Sequence, residues 1–192
     1  MYYCSFCLIV RDDHDYIREW IDYHRAIGVD HFYITDNKSD PPLKDVLEDY
    51  IESGIVTYNY DTRERPQVLV YNEAIAKYKH ESTWIAFFDS DEFLLLKKHD
   101  NIKDFLKEYE TYGAVSICWI LFGSNGHLTK QKSILDSYTL RANETYQTHY
   151  KTIVRPTRVA KYAIHNVDQH VGKYYTVDEN KNRVSGPFPI KA

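Results

Sequence analysis

Cysteine is scarce in this chain of 192 residues. Three copies, Cys4, Cys7 and Cys118, are too few for a disulfide framework, and an odd, sparse count points to a reducing compartment. Cys4 and Cys7 stand in a CxxC spacing, but no second pair follows to complete a four-ligand zinc site. A redox pair sits at a helix start, whereas "YCSFCLIV" reads as a strand. Positive charge is not in excess either. The formal net charge is −4 and no basic block occurs, so the footprint of a nucleic-acid binder is missing. Long apolar runs are absent as well. The N-terminal run ends after about ten residues, too short to span a bilayer, and it lacks the basic flank and small-residue cleavage site of a signal peptide. These absences predict a cytoplasmic chain with no transmembrane segment, whose contact with a membrane is at most peripheral, on the inner face.

What is present is globular. The apolar share is 43% and the charged share 27%, and the length suits one domain, residues 1–192, with a sizeable core. Tyrosine stands out, with 18 copies against 8 Phe and 3 Trp. Its apolar body and polar tip suit core edges and stacking on sugars or bases.

Strand-like and helix-like segments alternate. "YYCSFCLIV" reads as a strand and "DYIREWIDYHRAIG" as an amphipathic helix, with Tyr16, Ile17, Trp20, Ile21, His24 and Ile27 on one face. Asp13 or Asp15 suits the cap of that helix and Gly28 its end. "HFYIT", "IVTYNY", "WIAFFD" and "AVSICWILF" are further strands. "LKDVLEDYIESG", "PQVLVYNEAIAKYK" (Pro66 in its first turn) and "IKDFLKEYETYG" are further helices. The order predicts an α/β fold with a mostly parallel central sheet flanked by helices. After residue 120 the period changes: a Gly/Ser/Asn loop, a short helix at "SILDSYTLRANE", β-like "YKTIVRP" and "VAKYAIHNV", and a hairpin at "GKYYTVDENKNRV".

In such sheets ligands bind beyond the carboxyl ends of the strands. Those ends carry Arg11, Asp12 and Asp13, then Asp36 and Asn37, then Asp89, Ser90 and Asp91. The last group lies in "IAFFDSDEFLLL", where Asp89, Asp91 and Glu92 interrupt an apolar run. Three carboxylates there are costly without a partner. If the strand continues, Asp89 and Asp91 point the same way and converge on one ligand. Hard oxygen donors select Mg²⁺ or Mn²⁺, which offsets the charge and bridges to a diphosphate.

"CLIVRDDHDYIREWIDYHRAIGVDHFYITDNKSD" resembles the opening of the GT-A glycosyltransferases of family 2 type, in particular bacterial members akin to family 92. "FFDSDEFL" resembles their DxD motif, "YNEAIAKY" the helix before it, "WILFGSNGH" their Trp-x-x-Phe-Gly-Ser-x-Gly-His loop, and "KTIVRP" a further segment. The likeness runs in order through nearly the whole chain. It implies the GT-A fold and a nucleotide-sugar donor, a UDP-sugar, bound with Mn²⁺ or Mg²⁺. Residues 1–118 would form the nucleotide-sugar half and 119–192 the acceptor half. Asp91 would ligate the metal with Asp89 and His165. Arg11, Asp13, Asp36, Asn37, Gln67, Asn72, Asp89 and Ser90 would surround the donor. Trp119, His127 and Lys151 would face a glycan or glycolipid acceptor, and Arg155 would meet acceptor or phosphate. Transfer would be inverting and serve surface polysaccharide synthesis, which calls for one carboxylate base: Asp136 or Glu92. His24 and His31 are assigned to structure, and the irregular spacing of His149, His165 and His170 does not suit a three-His metal site.

Two departures stand out. Asp12-Asp13 replaces the family's Asn-Glu, and the chain stops at "GPFPIKA", where the family continues, which predicts a truncated C-terminus. Two other function classes compete. A DxD phosphohydrolase would need a later acidic pair that is not present. A non-catalytic module binding nucleotide-sugar or glycan would keep the fold without the turnover.

Overall fold

The computed structural model describes residues 1–143 and 149–188. Its centre is an eight-stranded sheet built from β1 (Tyr2–Val10), β2 (His31–Asp36), β3 (Val56–Tyr60), β4 (Ser82–Phe87), β5 (Ala114–Cys118), β6 (Tyr150–Val154), β9 (Thr176–Asp178) and β10 (Arg183–Val184). The spatial order is β10-β9-β5-β6-β4-β1-β2-β3. Strands β4, β1, β2 and β3 run parallel, so their carboxyl ends share one edge. β6 enters antiparallel between β4 and β5. β5 and β9 are parallel, and β9 and β10 form the expected hairpin. β7 (Val159–Tyr162) and β8 (Val167–His170) make a separate two-stranded ribbon, so the "VAKYAIHNV" segment turns back on itself. β5 is shorter than its apolar run suggested. Past Cys118 the Trp119 N–H continues the pairing, to the carbonyl of His149.

The period of two decides the core. Cys4, Phe6, Leu8 and Val10 of β1 face one layer, with Phe32, Ile34, Trp84 and Ala86. Helix α1 (Ile17–Ala26) and α4 (Ile102–Lys107) cover that face with Ile17, Trp20, Ile21, Ile102 and Leu106. Cys7 faces the other layer with Tyr33, Ile85 and Phe87, under Val70, Tyr71, Ala74, Ile75 and Tyr78 of α3 (Gln67–Tyr78). The two cysteines therefore lie on opposite faces of the sheet. Both are free and buried, and burial pushes both thiols well above the usual range. The second predicted helix is a 3-10 turn, Asp45–Leu47, followed by the short α2 (Glu48–Glu52).

Neither Asp13 nor Asp15 caps α1. The helix starts later, after Tyr16, and the Ile17 N–H is taken by the backbone carbonyl of Asp13 instead. Gly28 does close it, at φ +100°, a conformation that glycine adopts without strain. Pro66 precedes the first turn of α3 rather than lying in it. No helix among the described residues is long and apolar enough to cross a membrane.

Candidate active site

The carboxylate run lies beyond β4. That strand ends at Phe87, and residues 89–92 form a tight turn. The Glu92 N–H donates to the Asp89 carbonyl at 3.1 Å, while Glu92 Oε2 accepts the Asp89 N–H at 2.8 Å. Strand alternation therefore does not orient Asp89 and Asp91; the turn does.

The charge has a partner within the chain. Lys151, its side chain 2% exposed, places its ammonium 2.7 Å from Asp89 Oδ2 and 3.2 Å from Glu92 Oε2. Strand geometry explains how it arrives. β6 pairs antiparallel with β4, Ile153 opposite Ala86 and Val154 opposite Ile85, which carries Lys151 past the point where β4 ends. Lys151, expected to face an acceptor, is a buried counter-ion of this turn in the structure. A lone ammonium in the apolar strand "YKTIV" was the available signal, because buried cations need partners. Burial lifts the Glu92 carboxyl to about 7 against the opposing pull of Lys151. Asp91 is exposed, and its carboxyl is raised by partial desolvation and then by the charge of Asp89.

Helix α1 grips this turn from below. Trp20 Nε1 donates to the Glu92 carbonyl at 2.8 Å, and the Tyr23 hydroxyl donates to the Leu94 carbonyl at 2.9 Å. His24, fully buried, accepts the Leu94 N–H on Nε2. From α3, Gln67 Nε2 reaches the Tyr71 hydroxyl at 3.1 Å and Asp89 Oδ1 at 3.4 Å.

Several residues assigned to the donor serve the scaffold in this structure. Asp36 is completely buried, and its carboxylate accepts the N–H groups of Ser39 and Leu43 and the Tyr58 hydroxyl at 2.8–2.9 Å. Those bonds outweigh burial and hold its carboxyl below the usual range. Asn72 spends its amide on Val68 and on both backbone groups of Tyr162, tying α3 to β7. Asn37 donates to the carbonyls of Asp61 and Arg63, joining the ends of β2 and β3. Arg11 is exposed and pairs with Asp12 at 3.3 Å. Asp13 is half-buried and near enough to add its charge to that felt by Asp91. Ser90 is half-buried within the turn itself.

On the other side, Trp119, His149 and His165 cluster, with ring centroids 5.0–5.5 Å apart. Lys151 Nζ lies 5.9 Å from the Trp119 ring centre. Trp119 Nε1 and His165 Nδ1 are buried without a hydrogen-bond partner among the described residues. Burial, then the charges of Lys151 and His149, keep His165 below the usual imidazole range. An apolar groove of about 380 Å³ runs past His165 between Val68, Ile164 and Pro187. Arg155 donates to the Glu110 carbonyl, on the far side of the sheet edge from the turn.

His127 and Asp136 belong to a separate excursion, residues 120–142. His127 contacts the Ser137 carbonyl at 3.2 Å and the Tyr138 ring. Asp136 is exposed on the one-turn helix α5 (Ile134–Ser137), whose cap is Ser133. Glu19 of α1 anchors that helix, accepting from Ser133 Oγ at 2.6 Å and from the N–H groups of Ile134 and Leu135. The Tyr16 hydroxyl bonds the Gln131 carbonyl and Lys130 pairs with Asp15. Glu19 was not singled out in the sequence, because an acid on the exposed side of a helix gives no sign of a partner over a hundred positions away.

The described residues hold no ready-made group of three or more His, Cys, Asp or Glu side chains that would cage a metal. Their donor chemistry is compatible only with an ion that takes part of its shell from substrate oxygens. Asp91 is exposed beside Asp89, and the unpartnered Nδ1 of His165 lies in the same neighbourhood.

The model of the "Glycosyltransferase family 92" family matches residues 1–185. The chain belongs to glycosyltransferase family 92. A family 92 protein of rice (Oryza sativa subsp. japonica) is 29% identical over 157 residues, covering 78% of this chain and 26% of that protein. Galactan beta-1,4-galactosyltransferase GALS3 of Arabidopsis thaliana is 27% identical over 199 residues, covering 94% of this chain and 40% of its own. This family 92 chain spans between about a quarter and two fifths of the length of these plant relatives. The crystal structure of residues 1–349 of TarS from S. aureus in complex with UDP superposes with a TM-score of 0.54 at 17% identity, over 81% of this chain and 47% of that one. The shared architecture is the GT-A fold of nucleotide-sugar transferases.

Proposed function

We propose that this chain carries the donor site of a glycosyltransferase that moves a hexose from a nucleotide-sugar, a UDP-sugar, to a hydroxyl of a glycan or glycolipid. The observation that carries it is the Asp89–Glu92 turn at the shared carboxyl edge of the parallel strands, where a GT-A fold meets its nucleotide. The galactosyltransferase names among the relatives favour UDP-galactose as the first donor to try.

Arg11, Asp13 and Ser90 flank the nucleotide, with Asn37 shaping the floor through its bonds to the β3 end. Asp91, the second oxygen of Asp89 and His165 hold Mn²⁺ or Mg²⁺ in the same reading. The ion, when bound, stabilises negative charge on the departing diphosphate. Asp136 takes the proton of the acceptor hydroxyl in a single inverting displacement. Glu92 is less suited to that role, since its Oε2 is committed to the Asp89 N–H and to Lys151. Trp119 offers a ring face to the sugar and His127 a polar edge to the acceptor. A surface polysaccharide is the acceptor class this reading carries, with the protein on the cytoplasmic side of the membrane.

Calorimetry with UDP, in Mn²⁺ and then in EDTA, tests the donor site on this chain and on Asp91→Asn. Metal-dependent binding lost in the variant supports the reading. Metal-dependent binding with no transfer to any acceptor indicates a binding module. A folded chain that binds no UDP in either buffer overturns the donor assignment.

A further inference from the structure

The turn that would take a divalent ion already carries a cation of its own. The Lys151 ammonium occupies Asp89 Oδ2 and Glu92 Oε2 at 2.7 and 3.2 Å, and its side chain is 2% exposed. It is placed by β6, which is buried along its whole length between β5 and β4, so it cannot swing away as a surface lysine does. Of the three carboxylates in the turn, Asp91 alone has no cation within ion-pair distance among the described residues. One free carboxylate beside a fixed positive charge is a poor site for Mg²⁺ or Mn²⁺, which are held by one or two carboxylates together with substrate phosphates.

We propose that Lys151 is a resident counter-ion that makes metal binding conditional on the diphosphate: the turn admits a divalent ion only when phosphate oxygens complete its shell. This rests on the donor-site reading above, and the role is that of a positioning residue acting through Asp89 and Glu92. Lys151 also keeps the carboxylates together in the absence of any ligand, which otherwise repel one another at short range. Removing its charge frees Asp89 Oδ2, relieves Glu92 Oε2 of its cation while that oxygen keeps the Asp89 N–H, and takes away a nearby positive charge, and the turn then chelates the ion unaided.

The test is Mn²⁺ titration followed by electron paramagnetic resonance of the free ion, on the full chain, with and without UDP. Wild type is expected to take up Mn²⁺ alone at least about tenfold more weakly than in the presence of UDP. Lys151→Met is expected to bind Mn²⁺ alone about tenfold or more tighter than wild type, and Lys151→Arg to behave like wild type. A merely structural lysine would lower metal binding or leave it unchanged when replaced. Equal Mn²⁺ affinity of wild type and Lys151→Met without UDP overturns the proposal. Tight binding of Mn²⁺ alone to wild type overturns it too, and that arm decides even where the Met variant does not fold. The comparison of variants uses no nucleotide, so a chain that ignores UDP altogether counts against the donor reading and leaves this comparison to be judged by itself.

Discussion

His24 holds the Leu94 backbone in one tautomer. Its Nδ1–H donates to the Trp20 carbonyl at 2.8 Å, and its Nε2 accepts the Leu94 N–H at 3.2 Å. The bond accepted at Nε2 requires a neutral ring, and burial lowers its pKa from 6.5 to about 3. The unfolded chain therefore takes up this proton first as pH falls. The stabilisation is complete above pH 6.5 and drains away toward pH 3, with a slope approaching about 1.4 kcal/mol per pH unit. Urea unfolding between pH 7.5 and 5 reads this directly. His24→Asn should show a flatter profile; an unchanged one would mean that other groups set the acid limit.

Trp20→Phe keeps the ring but deletes the donor to the Glu92 carbonyl. The expected cost is about 1 kcal/mol, since a carbonyl at a partly buried contact loses its partner. UDP affinity should fall with it, because the same bond orients the turn carrying Asp89 and Asp91. Denaturant midpoints and calorimetry on one sample separate the two effects.

Asn72→Ala removes the tie between α3 and β7. Tyr162, entirely buried, would lose partners for both its N–H and its carbonyl, at about 1–3 kcal/mol for each group left unsatisfied. Hydrogen exchange should rise first in β7 and β8. Uniform exchange across the chain would argue that the tie is not local.

Glu19→Ala releases the 130–135 segment from α1. Three donors lose their acceptor, among them the first N–H groups of α5. Limited proteolysis should then cut near residues 128–132 faster than in wild type. In a turnover assay kcat should fall while the donor KM changes little, because Asp136 rides on the released segment.

The strands of the first half could be read from the sequence because each is an apolar run closed by a turn, and β1 to β4 follow that reading. The hairpin of β9 and β10 was legible for a similar reason: Asp-Glu-Asn marks its turn. The need for a compensating charge at the carboxylate turn was legible, since three acids inside an apolar run demand one. The geometry of the turn was not, because nothing in "FFDSDEFL" says that the strand ends before the first acid. The compensating charge was missed for a related reason: antiparallel insertion of β6 is a matter of topology, and only topology brings Lys151 to Asp89. Asp36 and Asn72 show the reverse case. Each has the residue type of a ligand contact, yet each bonds groups of the scaffold, mostly backbone, that local sequence does not reveal.

Lys151 follows Asp89 by 62 positions in the chain. During synthesis the acidic turn therefore leaves the ribosome well before the ammonium that balances it. A nascent chain halted near residue 118 carries the parallel strands, the gripping face of α1 and the carboxylates, with no buried cation to hold Asp89 and Glu92 together. Insertion of β6 between β4 and β5 must then join β5 to the parallel strands and neutralise the turn in one event, a long-range pairing of the kind that forms late and slowly. Maturation of the carboxyl edge is thereby coupled to completion of the last third of the chain, so a half-made protein presents the acids without the cation that balances them.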